Sequence, residues 1–211
     1  NLNHILLVMF LLDLIKLNCM KKLNGSKKIK TAVFISGMGS NLKNLVKFSK
    51  IKKSPISIDL IISNTNKAQG LKYANQFKIE KKITSFKNIK IAENKILRLI
   101  KKKKINLICL AGFMKILSKN FIKKFNGKIV NIHPSLLPKY KGLNTHEKAI
   151  KNKDKFSGCT VHYVTGQLDS GKIILQKKIR ITAKDNTASL AQKILKQEHK
   201  LYPAAILKIF G

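Results

Sequence analysis

Asn131 and His133 stand two residues apart, and Pro134 follows directly. On an extended strand that spacing sends both side chains to the same side. The proline withholds a backbone donor and helps to end the strand. A carboxamide beside an imidazole at a strand end suits acyl transfer: the amide donates to a developing oxyanion and the imidazole exchanges a proton. A lone histidine is more often structural, and only the placement beside Asn131 brings the two readings level. "TGQLDSG", residues 165–171, sets Asp169 in a glycine-flanked turn. Such an aspartate is ordinarily a local cap, but near a histidine its carboxylate would favour imidazolium and orient the ring. "SGMGSN", residues 36–41, offers two glycines for close backbone approach, with Ser40 and Asn41 at a helix start whose amides could hold a phosphate. Its spacing matches neither a P-loop nor a full G-x-G-x-x-G fingerprint, so it reads as either a capped tight turn or a phosphate cradle. Glu198, in "KQEHK", reads by itself as a solvated helix residue. His162 alternates with Val161 and Tyr163 and reads as a cross-strand partner, while His146 and His199 fall on helices. No H-E-x-x-H or comparable spacing points to a metal.

The elements that must position these residues alternate in type. "KTAVFIS" (30–36), "ISIDLIIS" (56–63), "INLICLAGF" (105–113) and "KIVNIH" (128–133) read as strands, with "KKITSF" a short additional one. Between them fall helical patterns in "NLKNLVKFSK", "KAQGLKYANQF", "IAENKILRLIKKKK" (91–104) and "SKNFIKKF", the last capped by Ser118. "CTVHYV" and "KIILQKKIRI" add two strands. A long helix then runs over 187–210, started by Asp185 or Thr187 and bent near Pro203. This alternation predicts an α/β fold, a doubly wound, mostly parallel sheet with helices on both faces. Ligands bind outside the carboxyl ends of such strands, where the three loops above lie.

The chain has 211 residues, enough for one domain with a sizeable core, and 44 Lys and Arg against 9 Asp and Glu, a formal net charge of +35. Only Arg98 and Arg180 are arginines, and the lysines are spread along the whole length. Nucleic-acid readers lean on arginine for bidentate contacts, so the charge reads as a bias of surface composition that also draws in small anions. A basic nucleic-acid-binding protein on the same scaffold is the alternative of another class. Three cysteines form no C-x-x-C pair, and Cys109 lies in an apolar run, so a reducing cytoplasm fits. "HILLVMFLLDLIKL", residues 4–17, is interrupted by Asp13 and is shorter than a bilayer span. Residues 1–19 are expected to be an extension outside the fold, with an amphipathic membrane-surface segment as the alternative. Residues 20–211 are expected to form a single domain.

"SGMGSNL", "LAGFMKILS", "NIHPSLLPKYKGL", "GCTVHYVTGQLDSGKIILQ" and "QEHKLYP" follow one another as they do in phosphoribosylglycinamide formyltransferases, which the chain resembles over residues 29–210. The resemblance implies a Rossmann-like formyltransferase domain of purine synthesis. Its formyl donor would be 10-formyltetrahydrofolate and its acceptor the amine of glycinamide ribonucleotide, with no metal and no specific nucleic-acid or membrane partner. By position it implies that Asn131 binds the formyl oxygen and that His133 is the acid/base. Asp169 would raise the histidine's pKa and order a relaying water. Gly39, Ser40 and Asn41 would hold the ribose and phosphate, and Glu198 the glycinamide end. The pterin would rest against Met114, Lys115, Ile116 and Leu117 on one side, with backbone of Thr165, Gly166, Gln167, Leu168 and Asp169 opposite. It further implies a cis Leu137–Pro138 bond. The chain departs from the family pattern at Lys115, where arginine is usual, near Ile89, where an arginine meets the folate, and at Asn144, where histidine is common. Two related activities share this core, formyltetrahydrofolate hydrolysis and methionyl-tRNA formylation.

Overall fold

Among residues 28–211, which the computed structural model describes, seven strands form one sheet in the order β3-β2-β1-β4-β5-β6-β7. They are β1 (Ile29–Ile35), β2 (Ile56–Ser63), β3 (Lys81–Ile83), β4 (Leu107–Leu110), β5 (Lys128–His133), β6 (Phe156–Tyr163) and β7 (Ile173–Arg180). The first five are parallel; β6 runs antiparallel to β5, and β7 antiparallel to β6. The chain winds outward through β1, β2 and β3, then returns to the middle as β4. The crevice between β1 and β4 is therefore a topological switch point. The expected 1–19 extension lies outside the described residues.

Burial on both faces follows from the period-two alternation of apolar strand residues. Val33, Ile35, Ile61, Leu107, Cys109, Val130 and Ile132 face one core, and Ala32, Phe34, Leu60, Ile62, Ile108, Leu110 and Ile129 face the other. Helices α1 (Ser40–Ser49), α2 (Leu71–Phe77) and α6 (Thr187–Phe210) cover the first face. Helices α3 (Ile89–Lys102) and α4 (Lys119–Lys124) cover the second. In α3 the stripe Ala92, Ile96 and Ile100 recurs every four residues and is buried, while the lysines face out. The Asn88 side chain accepts from the Ile91 amide and begins that helix.

Several boundaries differ from the sequence expectation. The helix expected from Lys67 starts at Leu71, because the Gly70 amide is drawn to the Gly37 carbonyl at 2.9 Å. There Gly70 lies against Gly39, whose φ is 74°; a Cβ on Gly39 would stand 2.5 Å from the Gly70 Cα, so only glycine fits. β4 stops at Leu110 rather than Phe113, and Gly112 turns the chain with a φ of 71°. A further helix, α5 (Thr145–Lys151), is too short to show a period. The cap of α6 is Asn186, in a reciprocal box with Ser189, whereas Asp185 pairs with Lys193 and accepts from Thr182. The Leu137–Pro138 bond is cis. Among the described residues no helix is long and apolar enough to cross a membrane.

One side chain ties α6 to the sheet where the site forms. Tyr202 is fully buried, and its hydroxyl lies 3.0 Å from the Leu110 carbonyl and 3.1 Å from that of Val130, near the carboxyl ends of β4 and β5. Removing that donor leaves buried carbonyls short of a partner, at about 1–3 kcal/mol. Tyr202→Phe is expected to lower the thermal midpoint by about 2–12 °C, as measured by calorimetry; an unchanged midpoint would show that the carbonyls are satisfied without it.

Candidate active site

A cavity of about 920 Å³ opens at the carboxyl ends of β1, β4 and β5. Strand β5 ends in Asn131 and His133, which project to one side as their spacing requires. Antiparallel β6 sets His162 directly opposite Asn131, and such a cross-strand pair shares a face. The loop after β6 brings Asp169 to the same point in a left-handed conformation, φ 46°. Its side chain is only 7% exposed. Asp169 Oδ2 accepts from the Gly142 amide at 2.9 Å and lies 3.4 Å from His133 Nδ1. Asp169 Oδ1 accepts from Asn131 Nδ2 at 3.4 Å and lies 3.5 Å from His162 Nε2. The His162 Nδ1–H donates to the Tyr163 carbonyl at 2.8 Å, leaving Nε2 at 3.2 Å from Asn131 Nδ2.

His133 Nε2 lies 2.8 Å from the Tyr140 carbonyl. A carbonyl only accepts, so Nε2 carries a proton and Nδ1, on the Asp169 side, is the nitrogen free to exchange one. Burial pushes His133 below the ordinary histidine value; the Tyr140 carbonyl and Asp169 pull upward, and His162 adds to the fall. The expected elevation by Asp169 therefore acts in the right direction but loses to desolvation, and the resting ring is neutral. For Asp169, burial raises the carboxyl. Its contacts with His162 and the Gly142 amide, with the charges of His133 and His162, outweigh that and hold it below the ordinary value. The resting pair is a carboxylate beside a neutral imidazole.

A second cluster lines the same cavity. Glu198 on α6 is buried, not solvated, and its Oε2 accepts from Asn41 Nδ2 at 2.7 Å. Burial raises its carboxyl, and the Asn41 bond opposes the rise. Asn41 Oδ1 is itself buried and has no partner among the described residues. Gly39 and Ser40 line the same end of the cavity at the start of α1. Met114, Lys115, Ile116 and Leu117 form another wall, with Met114 61% and Ile116 65% exposed. Thr165, Gln167 and Leu168 stand with Asp169 in the lining.

A scan against protein-family models matches residues 29–206 to the family described as formyl transferase. The chain belongs to the formyl transferase family. This formyl transferase domain is 40% identical over 180 residues to the phosphoribosylglycinamide formyltransferase of Haemophilus influenzae, covering 84% of this chain and 85% of that one. It is 41% identical to the human trifunctional purine biosynthetic protein adenosine-3 over 183 residues, 85% of this chain but 18% of that protein. The chain thus spans about a fifth of the length of such trifunctional relatives. The solved phosphoribosylglycinamide formyltransferase of Brucella melitensis superposes with a TM-score of 0.83 at 38% identity, covering 88% of this chain and 97% of that one. The corresponding structure from Anaplasma phagocytophilum gives 0.79 at 42% identity, covering 85% of each chain.

The formyl transferase fold brings together nearly every residue singled out from sequence. Gly166 is the exception: it does not line the cavity, because the Lys119 side chain packs over it, with its Cγ 2.3 Å from where a Cβ would stand. Ile89 begins α3, half-exposed and outside the cavity lining, whereas Asn144, in a left-handed conformation, lines it. Sequence reasoning left His162 as a strand pair; its only signal was the alternation that puts it on the face of Asn131. Among the described residues no cluster of three or more His, Cys, Asp or Glu could hold a metal.

The charge states make a prediction. Folded His133 binds its proton less tightly than in the unfolded chain. The stability linked to it is therefore fully present above about pH 6.5 and is lost as pH falls through the depressed folded value. NMR titration of the ring is expected to place its midpoint below 6.5. Asp169→Asn removes an upward pull and should move the midpoint further down; an upward shift would contradict this electrostatic account.

Proposed function

We propose that this chain transfers the formyl group of 10-formyltetrahydrofolate to the amine of glycinamide ribonucleotide, in the cytoplasm, as a step of purine synthesis. The observation that carries the proposal is Asp169, shared by Asn131, His133 and His162 at a strand end inside a cavity large enough for two small molecules. Membership of the formyl transferase family supports the reaction class.

The residues divide the work by chemistry. In the proposed reaction the substrate amine attacks the formyl carbon, forming a C–N bond, and the bond from that carbon to the folate nitrogen then breaks. The carbonyl oxygen gains charge as the amine attacks. Asn131 can meet it with an amide N–H, because the two bonds its Nδ2 already makes are long, 3.2 and 3.4 Å. His133, neutral at rest, takes the amine proton at Nδ1, and the imidazolium so formed faces Asp169. That carboxylate favours the charged ring as it forms and keeps it aimed. The proton then passes, with water as relay, to the departing folate nitrogen. Gly39 and Ser40 sit where backbone at the start of α1 can approach a phosphate and ribose. The Asn41–Glu198 pair offers an acceptor for the glycinamide end. Met114 to Leu117 and the 165–169 loop supply opposed apolar and backbone walls for the folate ring.

Incubating the full chain with both substrates tests this. The expected result is formylated ribonucleotide and free folate in equal amounts. Folate release without formylated product would make the chain a hydrolase, and formylation of methionyl-tRNA alone would make it a tRNA enzyme. His133→Ala and Asp169→Ala are each expected to lower kcat by about 10²–10⁴-fold while the fold persists, and near-normal turnover in both would remove the site assignment. Lys101→Ala, on the exposed face of α3, should leave turnover within about threefold. Both substrates are anionic and the chain is strongly positive, so kcat/KM should fall as ionic strength rises. Indifference to salt would mean that the surface charge plays no part in capture.

A further inference from the structure

The described residues include two Glu side chains that are buried, Glu198 and Glu93. The proposed reaction uses the first; nothing so far uses the second. Glu93 lies on α3, away from the cavity lining, and is 4% exposed. Among the described residues no lysine or arginine pairs with it, although the chain has 44 of them. An acid buried without a cation has to be held by hydrogen bonds. Both come from one residue: Glu93 Oε1 accepts from the Ser118 amide at 2.7 Å, and Oε2 accepts from the Ser118 hydroxyl at 2.5 Å. Ser118 Oγ in turn accepts from the Phe121 amide at 3.0 Å and caps α4.

Ser118 ends the 114–117 wall. Among the described residues no backbone–backbone hydrogen bond holds that stretch, and Met114 and Ile116 are mostly exposed. Three attachments remain. The Met114 amide donates to Ser36 Oγ at 2.8 Å, the Leu117 side chain is buried, and Ser118 is fastened to Glu93. A wall of four residues hung between two polar pins takes its position from them.

We propose that Glu93 is a positioning residue for the folate co-substrate: through Ser118 it sets the 114–117 wall without touching either substrate. This rests on the formyl-transfer reading for the identity of the ligand, and on the hydrogen bonds alone for the latch. The geometry of the bonds carries the effect rather than the charge. Glutamine can reproduce both contacts, its Oε1 accepting from the Ser118 amide and its Nε2 donating to Ser118 Oγ; leucine fills the space and reproduces neither.

The test compares Glu93→Leu and Glu93→Gln in the full chain. Glu93→Leu is expected to raise the KM for 10-formyltetrahydrofolate by about tenfold and leave that for glycinamide ribonucleotide within about twofold, with Glu93→Gln within about threefold of the parent on both. Hydrogen exchange of peptides spanning 113–118 should quicken by about tenfold in the leucine variant, while peptides over 128–133 stay unchanged. Equal rises in both KM values, or no rescue by glutamine, would overturn the positioning role. Unchanged exchange over 113–118 would overturn the latch, and that readout needs no turnover. A parent chain that transfers no formyl group would overturn the ligand assignment instead, so the two failures are told apart. Should Glu93→Leu not fold, Ser118→Ala removes the hydroxyl bond to Glu93 and the cap on Phe121 while keeping the amide bond, and is expected to move the same KM in the same direction by a smaller factor. No movement there would count against the proposal.

Discussion

A carboxylate buried in a chain with 44 Lys and Arg against 9 acids has cations in abundance to pair with. Among the described residues none of them pairs with Asp169. Its oxygens meet two imidazoles, one carboxamide and one backbone amide. A lysine there would be a fixed charge and would hold the aspartate for good, whereas an imidazole changes charge near neutral pH. The carboxylate can therefore rest beside the neutral His133 ring and still favour a cation when one forms there. Much of the local backbone is shaped to keep it there. Asp169 sits at φ 46°, a region costly for any residue but glycine, and Gly142, at φ 77°, turns its amide towards it. Two loops far apart in sequence take their conformations around this one group.

The topology explains why these groups meet. Parallel strands that wind outward and return leave a crevice at their carboxyl ends, and β5 delivers Asn131 and His133 there. A sixth strand in parallel would have ended beside them and offered only its loop. Running antiparallel, β6 instead carries His162 past Asn131 in register, so the strand itself contributes a side chain. Helix α6 closes the remaining side. Glu198 and Tyr202 lie one turn apart and face the sheet together. The tyrosine hydroxyl reaches the carbonyls of Leu110, which lines the cavity, and of Val130, immediately before the lining residue Asn131. Glu198 holds its place in the cavity because Tyr202 is anchored beneath it.

These levels differ in how far they could be read from residues alone. The α/β alternation was legible because strands buried on both faces and amphipathic helices leave different periods. Helix α5 was not, since seven residues make barely two turns. The pairing of Asn131 and His133 was legible because both lie on one strand. The burial of Glu198 was not: its partner Asn41 is 157 residues away, and helix periodicity cannot say which polar position meets another element. The same holds for His162, whose neighbour is set by strand register, and for Gly166, covered by a lysine from α4. The charge of His133 was the hardest to read. A nearby carboxylate argues for imidazolium, and only packing shows that desolvation is the larger effect.

Charge then works at two ranges that do not interfere. The lysine surface acts through a field that salt screens within about 10 Å, so it can gather anions without specifying their orientation. Inside the cavity the order is reversed. Asp169 and Glu198 are acids in a basic protein, both lining one cavity, with carboxyl groups shifted in opposite directions. The first is kept ionised by the polar groups around it, and the second is pressed towards its neutral form by burial. A residue kept ionised can stabilise a transient cation on its neighbour. One pressed towards neutrality gains most from a ligand that brings positive charge or hydrogen-bond donors to it. The proposed pair of substrates asks for both properties at once, one where the proton moves and one where the amine-bearing end is held. That the same cavity provides them in separate places is the physical reason for preferring transfer between two molecules over hydrolysis of one.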